Sequence, residues 1–396
     1  MQPHTQTEPT ADPFKAIPWW DTLAPAVRAE LALPAIETLS PSTADVVVIG
    51  GGVAGLNAAL SARRRGASVL LLEAESMIGR GATGRNAGIL SAGVNMHLAD
   101  LPLDSLEAAF WPETNRALLA LVKEAAQPGA LLEASLTGSL SLAESVSAAR
   151  KLAREACARV SLGLRAEIWT PAQVATATGG RLYTQSVKAA LWMPDEGRLN
   201  PLTLLAHLAR KARAAGVTLI GQARVAEMGI DGNRWHVQLT NGRTITARGL
   251  IQAIGPTARP NARIYALAFD TDLPDDFPLF WDAAPYTYAD YRPGNGRLTV
   301  SGGRYGKAGV TRRDASYHRR LINSARHWLP ELQDQEPRYT WAVDLAVTAD
   351  MIPTLRPFGA TAPGYAIEGL GALGVLPGTV LAERAGEQIT IDIKFG

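Results

Sequence analysis

Two glycine-rich bends, one near each end of the chain, hold the residues whose type and spacing best suit chemistry. Gly50, Gly52 and Gly55 form G-x-G-x-x-G behind an apolar run at 46–49, and Glu73 closes the next apolar run about twenty residues on. Gly50 permits a tight turn, Gly52 lets a pyrophosphate approach the backbone, and Gly55 lets a helix pack close to the strand. The helix that follows offers Val53 and Ala54 N–H groups and its positive dipole end to phosphates. Glu73 can accept from ribose hydroxyls and would repel a 2′-phosphate, so the pattern selects a dinucleotide without one. The second bend spans Gly369 to Gly374. It lies between a strand expected at 365–367 and a helix expected at 376–389, with Pro377 in the helix's first turn. A second glycine-rich loop thus feeds a second helix N-terminus.

Few other side chains invite a catalytic role. Of the six histidines, His97 is the one near a glycine motif, and it is the candidate base for a C–OH donor. Tyrosines cluster between 256 and 345, and a cofactor ring needs a roof. Tyr286, Tyr288, Arg304 and Asp344 join His97 as pocket candidates. The single Cys157 excludes an internal disulfide and a cysteine metal site, and no metal is expected. It is expected to be buried on an amphipathic helix.

The elements that must position these groups follow from periodicity. Val53, Leu56, Ala59 and Leu60 share a helix face, and Arg63–Arg65 with Gly66 mark its end. Helices are expected at 103–126, 145–160, from Thr170-Pro171, from Asn200-Pro201 to Gly216, and at 313–328. Strands are expected at 138–142, 190–193, 217–220, 223–230, 235–239, 243–247, 250–254, 280–291 and 298–301. Asn241-Gly242 marks a hairpin. Trp19 and Trp20, in an irregular arm over 1–42, are expected to dock on the body of the same chain.

With 396 residues the chain holds two or three domains' worth of core. A net charge of +2 argues for no nucleic-acid partner, and no apolar run reaches membrane-spanning length. Absence of a signal-like stretch and a lone cysteine lead us to expect a cytoplasmic protein.

Four motifs together resemble a known family. They are 45–73, the run Gly81-Ala82-Thr83-Gly84-Arg85-Asn86-Ala87-Gly88, the run Gly197-Arg198-Leu199-Asn200-Pro201, and 341–353 with Thr348, Asp350 and Pro353. The chain is similar to FAD-dependent oxidoreductases of the D-amino-acid oxidase superfamily, in particular the gamma-glutamylputrescine oxidase-like and sarcosine–glycine oxidase branches. The resemblance implies a mixed fold, α/β plus α+β: a discontinuous Rossmann-like FAD-binding domain (43–102, 200–255, 346–396) and a mixed-sheet substrate domain (103–199, 256–345). It implies non-covalent FAD. Gly50, Gly52, Val53, Ala54 and Gly55 would cradle the pyrophosphate, and Glu73 would take the ribose. Thr83, Arg85, Asn86, Ala87 and Gly88 would line the path to the ring, with Val225 and Gly255 at the adenine end. Gly371, Ala372, Leu373, Gly374, Val375 and Leu376 would face the flavin.

The activity implied is hydride transfer from a small amine to flavin N5, giving an imine that hydrolyses. Dioxygen or another acceptor then takes the electrons, dioxygen yielding hydrogen peroxide. No particular oligomeric state is implied. Three departures qualify the pattern. Thr299 stands where sarcosine oxidases carry an oxygen-activating lysine. Leu373 replaces a loop histidine. Leu345 replaces the arginine with which glycine oxidases clamp a carboxylate. The rival readings are an FAD-dependent dehydrogenase of a hydroxy acid or polyol, and a flavin-binding subunit that needs a partner chain.

Overall fold

Two large sheets supply the walls of the cleft between the glycine bends. This computed structural model describes residues 13–36, 42–255, 260–282 and 289–395. Tyr286 and Tyr288 lie outside them.

Among the described residues the first sheet has eight strands. Thr43–Ile49 lies at its centre, parallel to Val69–Leu72 on one side and Thr244–Gln252 on the other. Thr218–Ile220 extends one edge in parallel, and the antiparallel Arg234–Leu239 and Val225–Asp231 extend the other. Gly364–Glu368 pairs parallel to the end of Thr244–Gln252 and carries Thr354–Phe358. Its central residues, Val46, Val47, Val48, Leu70 and Leu71, are fully buried, as a sheet covered on both faces requires. The stretches expected as strands at 243–247 and 250–254 form one continuous strand. Asn241-Gly242 turns into it as expected, Gly242 at φ +85.

Helix Val53–Arg64 packs against the C-terminal helix Val375–Phe395, and their contact excludes side-chain volume. A Cβ on Gly386 would sit 2.4 Å from Ser61 Cβ. The helix Phe110–Ala125 starts seven residues later than its apolar pattern suggested. Placed by sequence in the substrate domain, it packs instead on the C-terminal helix, with Phe110, Trp111 and Leu118 in the core of the first sheet's helices.

The second sheet also has eight strands among the described residues. Its strands run in the order Tyr339–Leu345, Ala262–Asp270, Arg297–Lys307, Ala289–Pro293, Leu279–Trp281, Ser139–Ala143, Ala189–Met193, Glu167–Trp169. The stretch expected as one strand over 280–291 is two, Leu279–Trp281 and Ala289–Pro293, paired antiparallel. Helix Asp314–Trp328 covers one face, burying Leu321, Ala325 and Trp328. Helix Val146–Ser161 buries Leu152, Ala156 and Ala158, which turns Cys157 outward. Cys157 is exposed, contrary to expectation, because it falls one residue off that face.

The arm does dock on its own chain. Trp19 and Trp20 are buried and donate their indole N–H groups to Asn86 O and Gly84 O, each at 3.0 Å. Arg80 lies over both Phe14 and Trp20, at 4.0 and 4.5 Å from the ring centroids. The arm therefore clamps the 81–88 loop from outside.

Candidate active site

The glycine bends converge on one continuous space. A groove of about 770 Å³ is lined by Gly50, Gly51, Gly52, Val53, Ala54, Glu73, Thr83, Val225 and Gly255, and also by Gly369, Leu370 and Gly371. A cavity of about 510 Å³ adjoins it and is lined by Asn86, Ala87, Ala372, Leu373, Val375 and Leu376. Ala82, Arg85, Leu345 and Gly371 belong to both walls.

Each glycine of the first bend has a separable cause. Gly55 is required by packing, since a Cβ there would lie 1.8 Å from Gly50 O. Gly50 sits at φ +105 with Ala253 O 2.5 Å from a would-be Cβ. At Gly52 the nearest atom to a Cβ is Thr83 Oγ1 at 3.2 Å, so the protein alone scarcely demands glycine. Its bare face opens on the groove. Gly52 caps its helix without any side-chain hydrogen bond of its own; Val53 N donates to Thr83 Oγ1 at 3.3 Å, and the N–H groups of Ala54 and Gly55 follow it at the helix start, where an external acceptor can reach. Glu73 accepts from Gly51 N at 2.8 Å and Glu75 N at 3.1 Å. Burial nonetheless pushes its carboxyl up. A half-buried carboxylate beside a helix N-terminus is the donor–acceptor set that fits an adenosine pyrophosphate.

Arg85 stands at the junction. Burial pushes its guanidinium down, and Asp344 opposes this from nearby. Asn86 donates to Thr83 O and accepts from Gly88 N, both at 2.7 Å, which fixes the loop's shape. Gly88, Gly55 and Gly374 lie in neither wall; they set the backbone rather than touch the space. In the fourth motif, Met351 N donates to Thr348 O (3.2 Å) and Ile352 N to Asp350 Oδ1 (3.1 Å), around Met351 at φ +59. Those side chains build the turn that precedes the second bend.

The pocket candidates separate. His97 and Arg304 line the cavity. His97 Nδ1 lies 3.7 Å from Glu155, which is buried and also paired with Arg159. Burial pushes the Glu155 carboxyl up, but His97 beside it, Arg159 and the Ala99 N–H outweigh this and hold it at about 2. Asp344 lines the cofactor groove, not the cavity, and pairs with Arg263 at 2.9 Å.

Several residues of the cavity were not foreseen. Trp281, Asp290, Ser301, Ala266 and Trp341 are register partners in succession across the second sheet, and all five line the cavity. Directly opposed residues share a sheet face, so this rung is the cavity floor. Asp290 accepts from Ser301 Oγ, and burial pushes its carboxyl up to about 7. Beyond Ser301 the strand bulges. Tyr265 pairs with Gly302 but Arg263 pairs with Gly306, with Gly302 and Gly303 at φ +94 and +73. The bulge breaks the alternation, so Ser301 through Tyr305 all reach the cavity wall. Tyr305 accepts from Asn95 Nδ2 at 2.9 Å. Arg292 lies under the loop, donating to Gly88 O (3.2 Å) and Leu199 O (3.0 Å), and burial pushes it down to about 9. It is directly opposite Thr299, so a buried cation stands one strand away from the place where the lysine is missing. The paired glycines at 302–303 were the only local signal for any of this.

The sequence matches the family described as FAD dependent oxidoreductase (DAO) over residues 45–388. The chain belongs to this family: it is an FAD-dependent oxidoreductase. Among its relatives, the glycine oxidase of Geobacillus kaustophilus is 26% identical over 328 residues, covering 78% of this chain and 83% of the relative. The gamma-glutamylputrescine oxidoreductase of Escherichia coli is 43% identical over 89 residues, 22% of this chain and 20% of that protein. Among solved structures, L-proline dehydrogenase from P. horikoshii superposes with a TM-score of 0.77 at 20% identity, covering 89% of this chain and 95% of that one. Among the described residues no helix is long and apolar enough to cross a membrane, and no cluster of side chains could hold a metal.

Proposed function

We propose that the protein oxidises the C–N bond of a small amine in the cavity beside its FAD. The observation that carries this is the floor: a carboxylate, Asp290, next to an indole, Trp281, is chemistry that draws an amine-bearing molecule into the cavity. The names of the relatives point the same way: glycine oxidase and gamma-glutamylputrescine oxidoreductase are both named for nitrogen-bearing substrates. When bound, FAD supplies the electron sink for hydride removal from such a carbon.

The chain's own residues bind, orient and screen. We assign the ribose to Glu73, the pyrophosphate to the N–H groups after Gly52, and the ring's pyrimidine edge to the helix start after Gly371. Arg85 at the junction balances phosphate charge. Trp281, Trp341 and Tyr265 exclude water from the cavity. Leu345, in place of a carboxylate-binding arginine, disfavours a simple alpha-amino acid. We take FAD attachment as non-covalent: Cys157 lies on an outer helix face and His97 is engaged by Glu155. Dioxygen is our preferred acceptor, with Arg292 a buried cation bonded to Gly88 of the 81–88 loop, and hydrogen peroxide the product. The single outward thiol suits a reducing, cytoplasmic setting.

Anaerobic addition of an amine panel to the FAD-loaded protein tests the reading. Loss of oxidised-flavin absorbance is expected with at least one amine, and peroxide on admitting air. If amines, including polyamines, N-methyl amines and amino acids, all leave the absorbance unchanged, the reading is wrong. The His97–Glu155 pair supports a second reading, because a carboxylate-oriented histidine is the base a C–OH donor needs. In that case hydroxy acids or polyols bleach the flavin, and His97→Asn abolishes the bleaching.

A further inference from the structure

We propose that Asp290, with Ser301 and Trp281, binds a second positive charge of the substrate, one that is not oxidised, so that the preferred substrates are diamines. This rests on the amine reading above and names the substrate class for the same cavity.

The argument is one of charge accounting around the cavity. Its wall holds two carboxylates among the described residues, Asp100 and Asp290. Asp100 is exposed and lies 3.7 Å from Arg154. Asp290 has a hydroxyl partner, Ser301, and no cationic one among the described residues. His97 is turned to Glu155, and Arg85 faces Asp344 at the junction with the groove. Arg304 is exposed on the bulge at the rim, where water and salt damp its field. The floor thus keeps a carboxylate in a partly dehydrated site with an indole on its immediate cross-strand side. Holding it there costs free energy, and burial has pushed it up to about 7. A cation bound against it offsets that cost by charge and by the ring face together.

That cation is not the reacting nitrogen. A carboxylate in contact keeps an amine protonated. A protonated amine has no lone pair to stabilise loss of hydride from its neighbouring carbon. The nitrogen at Asp290 is therefore a spectator, and the nitrogen that is oxidised lies elsewhere on the same molecule. The rung also places Trp341 two strands beyond Ser301, next to the ring loop, where its Nε1 donates to Arg85 O at 2.9 Å. The substrate would lie along the rung, with its inert end at Asp290 and its reactive end toward Trp341.

Two measurements on the FAD-loaded protein test this. In the first, α,ω-diaminoalkanes are compared with n-alkylamines of equal carbon number by anaerobic flavin reduction. At one chain length the diamine should be favoured by about tenfold or more, close to 1.4 kcal/mol. Asp290→Asn should reduce that preference to within about threefold, and Asp290→Glu should retain it. Equal rates for diamine and monoamine in the wild type, or a preference that survives Asp290→Asn, overturn the proposal. In the second, tetramethylammonium is titrated and the flavin absorbance followed. Saturable perturbation is expected for the wild type and Asp290→Glu, weakened about tenfold or more in Asp290→Asn. Equal affinity in wild type and Asp290→Asn overturns it. If no amine bleaches the flavin, the amine reading itself fails, while the tetramethylammonium titration still decides whether Asp290 is a cation site.

Discussion

At the scale of single residues, two carboxylates withdrawn from water to different degrees should respond to pH in opposite directions. Desolvation raises Asp290 from an ordinary 3.8 to about 7. A raised acid penalises the folded state progressively as pH climbs through that interval, and the penalty is full above it. Asp290→Asn should therefore melt at higher temperature than the wild type at pH 8, with the difference shrinking toward pH 4. Glu155 is the reverse case, held at about 2 against an ordinary 4.5. Its contribution is complete above the unfolded value and is lost as pH falls through the folded one. Glu155→Gln should be less stable than wild type at pH 7, by about 3 kcal/mol since Arg159 loses a buried partner, with the gap closing toward pH 2. Thermal melts across pH check both, and a shared sign would contradict the assignment of either group.

At the scale of elements, the first bend separates packing from ligand binding. Gly55→Ala puts a methyl 1.8 Å from Gly50 O and should leave little folded protein. Gly52→Ala meets nothing closer than 3.2 Å, so the melting temperature without FAD should scarcely move while FAD affinity falls by about tenfold or more. Equal damage to fold and affinity in both variants would mean that the bare face of Gly52 serves packing alone. The arm is the second element with a consequence. Trp20 is buried and holds Gly84 O, so Trp20→Ala should cost about 3 kcal/mol and loosen the loop that carries Arg85 and Asn86. Differential scanning calorimetry gives the first effect and a fluorescence titration of FAD the second.

At the scale of the whole molecule, what was legible in the sequence is what is local. Strand, glycines, helix and Glu73 lie within thirty residues, and the capping pairs Thr170-Pro171 and Asn200-Pro201 mark their helices by chemistry confined to a few positions. The cavity floor was illegible because each of its five residues comes from a different strand, and only the register of the sheet aligns them. A lone aspartate in a strand has no periodicity to flag it. Arg292 was missed for the same reason: its burial is set by Gly88, Leu199 and Trp19, which are remote in sequence. Asp344 misled because an acid beside Leu345 looks like a pocket residue until the sheet's edge is known to face the groove. The central claim is that both bends hold one FAD whose ring closes the cavity floored by Asp290. A crystal structure of the FAD-loaded protein tests it most directly. It should place the adenosine against Glu73 and Val225 and the ring at Arg85, Leu345 and Gly371, with one face toward the rung from Trp281 to Trp341. Density for the ring anywhere outside that junction, or a second bend with no contact to it, would contradict the account.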